Sequence, residues 1–113
     1  MTDPDQTDPG QTNAGQTDLA HFRRRIDAID DRLLALLGER FAVIREVAAY
    51  KAPRGIPAVI PARVAEVRER CAGEAPRHGL DPDAVRRLYD LLIDEACRLE
   101  EELMARERPT LPR

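Results

Sequence analysis

From Leu19 to Lys51 the apolar residues Leu19, Phe22, Ile26, Ile29, Leu33, Leu37, Ile44 and Ala48 recur at intervals dominated by threes and fours. That spacing places them on one face of an α-helix. No proline interrupts the stretch, and only Gly38 weakens it. Thr17 or Asp18 is placed to cap the helix start. Pro53 disfavours helix at the residue before it, so the helix is expected to end near Tyr50–Ala52.

Two further helices follow. Pro61 suits a first helical position, because its missing donor and fixed φ do no harm there. Val64, Val67 and Cys71 form a short stripe behind it, and Gly73, Pro76 and Gly79 bring the segment to a close. Leu80-Asp81-Pro82 reads as a hydrophobic staple residue, an N-cap and an N1 proline, with Val85 as the staple's second half. The third stripe is Val85, Leu88, Tyr89, Leu92, Ala96, Leu99 and Leu103. Glu100 falls about 60° from its centre, one turn after Ala96. The plan is all-α: a long, a short and a medium helix. A polar tail covers residues 1–18, with the five-residue echo DQTDP, GQTNA, GQTDL, and is expected to be disordered. The helical domain covers 19–104, and a frayed tail 105–113.

Length makes the first helix a problem for one chain. Its 33 residues, Leu19 to Lys51, extend about 50 Å at roughly 1.5 Å per residue. A compact domain of this size is only about 30–35 Å across. Either a second copy packs along the helix or much of its stripe stays wet.

Three cations share that stripe. With Ile26 as centre, Arg40 lies about 40° to one side, Lys51 about 20°, and Arg23 about 60° to the other. A buried cation needs an anionic partner, either a protein carboxylate or an anionic ligand. Arg40 and Lys51 are about 16 Å apart along the axis, and their long side chains can lean together on the two ends of a small dianion. Arginine adds bidentate carboxylate recognition.

Composition narrows the alternatives. Charged residues make up 35% and aromatics 4%, which fits a solvated helical bundle. The net charge of −3 owes most to Asp3, Asp5, Asp8 and Asp18, so the remainder is nearly neutral and no nucleic-acid footprint is present. Cys71 and Cys97 read as small buried residues, and His21 and His78 lack metal-site spacing. The acidic opening has no apolar core, and the longest apolar run, Leu33–Leu37, is too short to span a bilayer. A cytoplasmic protein with neither membrane nor nucleic-acid partner is expected. The chain order shows no Ser/His/Asp set, phosphate-binding glycine loop or HExxH motif.

From about Leu19 to Met104 the chain resembles the all-helical chorismate mutase family. The matching pieces are Arg23 before IDAID, LLALLGER ending in Arg40, the Tyr50-Lys51 pair, the HGLD helix start and the LIDEACRLE segment. The resemblance implies the type II three-helix fold in an intertwined homodimer. It implies a cofactor-free [3,3] rearrangement of a dicarboxylate, with Arg40 and Lys51 holding substrate in one chain's pocket and Arg23 reaching in from the other chain. Arg40, Lys51 and Glu100 would be catalytic, Glu100 as a neutral donor near the substrate's ether oxygen. Arg23, Arg40, Lys51, Ile60, Arg63 and Ala96 would contact substrate. Common members carry an Asp, an Arg and a Glu where this chain reads Ile60, Arg63 and Val64. The acid missing at Val64 would contact the C4 hydroxyl, so a different ring substituent is implied. YKAPRGIPAVIPARV together with EACRLEEELM looks most like the 4-amino-4-deoxychorismate mutases. Chorismate itself is the second expectation. Isochorismate-pyruvate lyase activity is the third, and a non-catalytic helical dimerisation module the fourth.

Overall fold

The computed structural model describes residues 14–107. They form three α-helices, α1 (Ala14–Lys51), α2 (Pro61–Glu74) and α3 (Pro82–Glu107), with short 3-10 turns at Ala52–Arg54 and Ala75–His78. No strand occurs among the described residues. The chain divides into two units at Arg40/Phe41.

Within the first unit, α1 is helix throughout its described length, and its apolar side chains are strongly exposed. Phe22, Ile26, Ile29 and Leu33 are each about half exposed, and Leu34 and Leu36 more so. The helix starts at Ala14 rather than Leu19, so Thr17 and Asp18 lie inside it instead of capping it. Gly15, Thr17 and Asp18 lower helix propensity here, but no proline breaks the segment. Residues 1–13 of the expected polar tail lie outside the described residues.

In the second unit α2 packs along α3, and both 3-10 turns rest against α3. Pro61 opens α2 after Ile60, and Pro82 opens α3 after Asp81, as the sequence pattern predicts. The Asp81 carboxylate accepts the Asp83 N–H at 3.4 Å, which occupies a donor the first turn would otherwise leave unmade. Gly55 and Gly79 end the two 3-10 turns in the left-handed region, with φ of 68° and 71°, where a side chain would be strained.

The buried line of α3 differs from its leucine stripe. Val85, Ile93, Ala96, Glu100 and Met104 are buried, whereas Leu88 is half exposed and Leu91 more so. Close packing follows the line facing α2 and the connector before it, which takes Ile93 and Met104 and leaves Leu88 out. Helix α3 also continues three residues beyond Met104 to Glu107. Ala105, Arg106 and Glu107 are good helix formers, and the next breaker is Pro109. Residues 108–113 lie outside the described residues.

An exposed ion network fastens α2 to α3. Arg68 donates to Asp90 at 2.6 Å and to Glu69 at 3.0 Å. Arg86 donates to Glu69 at 3.0 Å and to Asp83 at 2.7 Å. The hydrogen bond from Arg86, helped by both guanidinium charges, holds the Glu69 carboxyl below its ordinary range. A carboxylate lowered on folding stabilises above its unfolded pKa, and the contribution is lost as pH falls through the folded value. Glu69→Gln should therefore lower Tm at neutral pH. The gap from the wild type should close on acidification through about pH 5 to 3, as read by thermal melts at each pH.

Candidate functional site

Lys51 is the last residue of α1 and the only lysine among the eighteen Lys and Arg residues of the chain. Its Nζ donates to Glu100 Oε1 at 2.8 Å and to the Ala58 carbonyl at 3.0 Å. The Lys51 and Glu100 side chains are 13% and 8% exposed. Both charges are thus largely removed from water and satisfied by one another, as buried charges must be. The anionic partner that periodicity demands for Lys51 is, in the free chain, a protein carboxylate.

Several features set this geometry. Glu100 lies one turn after Ala96, which is itself buried, so the small residue leaves room where the carboxylate projects. The connector leaves α1 through the Ala52–Arg54 turn, reverses at Gly55, and returns its backbone to Lys51, whose carbonyl accepts the Ile56 N–H at 3.3 Å. Arg54 stacks 3.8 Å over the Tyr50 ring and donates to the Tyr50 carbonyl at 2.8 Å, closing the end of α1 from outside. Cys97, one turn before Glu101, is only partly buried. Burial first, and then the Glu100 charge, push its thiol up, which opposes a role as nucleophile. Cys71 is likewise only partly buried, so the two thiols do not serve as core residues in the way expected.

Of the seven residues singled out from sequence, Lys51 and Glu100 are brought into direct contact, with Ala96 beside Glu100 on α3. Ile60 and Arg63 stand exposed where α2 begins, and Arg63 is engaged with Glu66 at 2.7 Å. Arg40 is half-buried and Arg23 exposed, both on the part of α1 that belongs to the first unit. Sequence reasoning missed Ala58. A backbone acceptor leaves no mark on side-chain pattern, and the only available hint was the Gly55 turn that brings the connector back.

Residues 22–101 match the family described as Chorismate mutase type II. The chain belongs to that family. Among relatives, the 4-amino-4-deoxychorismate mutase of Streptomyces venezuelae is 39% identical over 93 residues, covering 82% of this chain and 90% of the relative. The 4-amino-4-deoxychorismate mutase of Streptomyces pristinaespiralis is 40% identical over 83 residues, covering 74% of this chain and 64% of the relative. The chorismate mutase of Methanocaldococcus jannaschii is 29% identical over 86 residues, covering 76% and 87%. For a mutase of this family the all-helical architecture and a site without nucleophile chemistry agree. A pericyclic rearrangement asks for substrate positioning and fixed donors rather than a covalent intermediate.

Proposed function

We propose that the protein is a mutase that converts 4-amino-4-deoxychorismate to 4-amino-4-deoxyprephenate by a cofactor-free [3,3] rearrangement. The observation that carries the reading is the shielded Lys51–Glu100 pair at 2.8 Å, a donor cluster suited to charge developing on a breaking C–O bond. The two relatives near 40% identity support the amino substrate over chorismate. Arg40 and Arg23 take the substrate carboxylates, Arg40 through a bidentate contact. Ile60, Arg63 and Ala96 complete the contact surface. Incubation with 4-amino-4-deoxychorismate, chorismate and isochorismate, followed by product identification, tests the assignment. Fastest turnover of the amino compound is expected. Turnover of chorismate or pyruvate release from isochorismate would reassign the substrate, and no turnover of any would favour a dimerisation module.

In this reading Glu100, a carboxylate paired with Lys51 in the free chain, is a neutral donor once substrate occupies the site. Its Oε1 accepts from Lys51, and Oε2 carries the proton toward the ether oxygen. Glu100→Gln keeps a neutral donor at this position, so a measurable kcat should remain, with a pH–rate profile that differs from that of the wild type. A pH–rate profile identical to that of the wild type would remove this role.

The catalytic unit is an intertwined homodimer. The half-exposed line Phe22, Ile26, Ile29 and Leu33 supports this, because covering each of these side chains contributes on the order of 1 kcal/mol. Leu33→Glu should shift the protein from dimer to monomer by light scattering and lower turnover with it. A dimer of undiminished affinity would place the interface elsewhere. A cytoplasmic location fits this chemistry. Among the described residues no helix is long and apolar enough to cross a membrane.

A further inference from the structure

The lysine ammonium has three N–H donors and no acceptor. Two are occupied within the chain, by Glu100 Oε1 at 2.8 Å and the Ala58 carbonyl at 3.0 Å. The remaining N–H direction is then fixed by tetrahedral geometry, although the lysine stem is otherwise flexible. We propose that Ala58 is a positioning residue whose carbonyl, together with Glu100, aims the one remaining Lys51 N–H at the substrate. This deepens the mutase reading and rests on it.

The connector is built to present that carbonyl. Gly55 reverses the backbone at φ 68°, its N–H returning to the Ala52 carbonyl, and Ile56 N–H returns to Lys51 itself. Both bonds anchor the start of the connector to the end of α1, and Ala58 follows within three residues. The next anchor is the start of α2, where the Ile60 carbonyl accepts from Arg63 and Val64. Between these anchors the segment from Ile56 to Val59 lines an open pocket of about 370 Å³ together with Glu101 and Met104. The bond to Lys51 fixes the Ala58 carbonyl, and reciprocally the carbonyl fixes the ammonium. Glu100 alone would leave the ammonium free to rotate about one contact and present any of its other donors. The Ala58 carbonyl removes that freedom before substrate arrives, the form of preorganisation that raises kcat rather than affinity.

The test weakens the acceptor without changing a side chain. Replacing Val59 by its α-hydroxy acid makes the 58–59 linkage an ester, so the Ala58 carbonyl becomes a poorer acceptor. Among the described residues the Val59 N–H that is lost donates to no backbone carbonyl. With 4-amino-4-deoxychorismate, kcat should fall about tenfold, a change of about one power of ten in rate, and KM should stay within about twofold. Labelling with 15N-lysine gives one side-chain ammonium signal, since Lys51 is the sole lysine. In the unmodified protein that signal should exchange slowly with solvent, and in the ester variant it should shift and exchange faster while far-UV circular dichroism keeps its helical signature. An ammonium in the unmodified protein that exchanges as fast as free lysine overturns the proposal, and needs no variant to fold. An unchanged signal, or a rise in KM at unchanged kcat, overturns it too. If the unmodified protein turns over none of the three substrates, the mutase reading fails. The ammonium measurement then still decides whether Ala58 holds Lys51.

Discussion

Lys51→Met should lower kcat for the preferred substrate by about 10²–10³, the usual cost of removing one preorganised donor from a transition-state site. It should also destabilise the fold, because Glu100 stays buried without its cation. For a fully buried pair, losing one partner costs about 3–5 kcal/mol. Here the side chains keep 13% and 8% of their exposure, so about 2 kcal/mol is expected, since water reaches the stranded carboxylate. The double variant Lys51→Met with Glu100→Leu separates the two effects. It should recover most of the lost stability, since matched apolar groups can replace a buried ion pair, and recover none of the activity. Chemical denaturation and steady-state kinetics on the same samples check both halves. Restored turnover in the double variant would mean that the pair is structural alone.

Arg40→Ala should reduce kcat/KM by roughly thirty- to several-thousandfold, the equivalent of about 2–5 kcal/mol for truncating one partner of a shielded charge contact. The proposed dimer should persist, because the half-exposed apolar line Phe22, Ile26, Ile29 and Leu33 is untouched. Arg40→Lys should restore only part of the rate, since an ammonium keeps the charge but not the paired, planar donors that match a carboxylate. Kinetics combined with sedimentation would show it. Full activity in Arg40→Ala would remove this residue from substrate binding. Loss of the dimer would instead make the arginine a structural part of the association.

The helices were legible because their signals are local. Pro61 and Pro82 open α2 and α3 where first-turn prolines are tolerated, and Gly55 and Gly79 sit where positive φ is needed. Lys51 was legible as a cation on an apolar face, a conflict that periodicity exposes without any structure. Glu100 was only half legible. Its offset from the stripe suggested an edge position, yet it is 6% exposed, because burial on α3 keeps Val85 and Ala96 of that stripe but adds Ile93 and Met104 and leaves Leu88 out. Which of two apolar lines is covered depends on what packs against the helix, and pattern within one helix does not contain that. The start of α1 and the end of α3 were misplaced for a related reason: helix continues past a permissive residue when its flanking residues allow, whereas the end of α1 at Lys51 and the start of α3 at Pro82 fall where expected. The Ala58 carbonyl was not legible at all.

A chain with seventeen arginines and a lone lysine has an unusual chemical consequence. Amine-reactive dyes find a single side-chain amine in it, Lys51, whose ammonium is shielded by Glu100 and Ala58. Labelling through side-chain amines, routine for most proteins, would here modify the group proposed to touch substrate or not attach to a side chain at all. Thiol-directed attachment at Cys71, in a chain with Cys97 replaced, leaves that group alone.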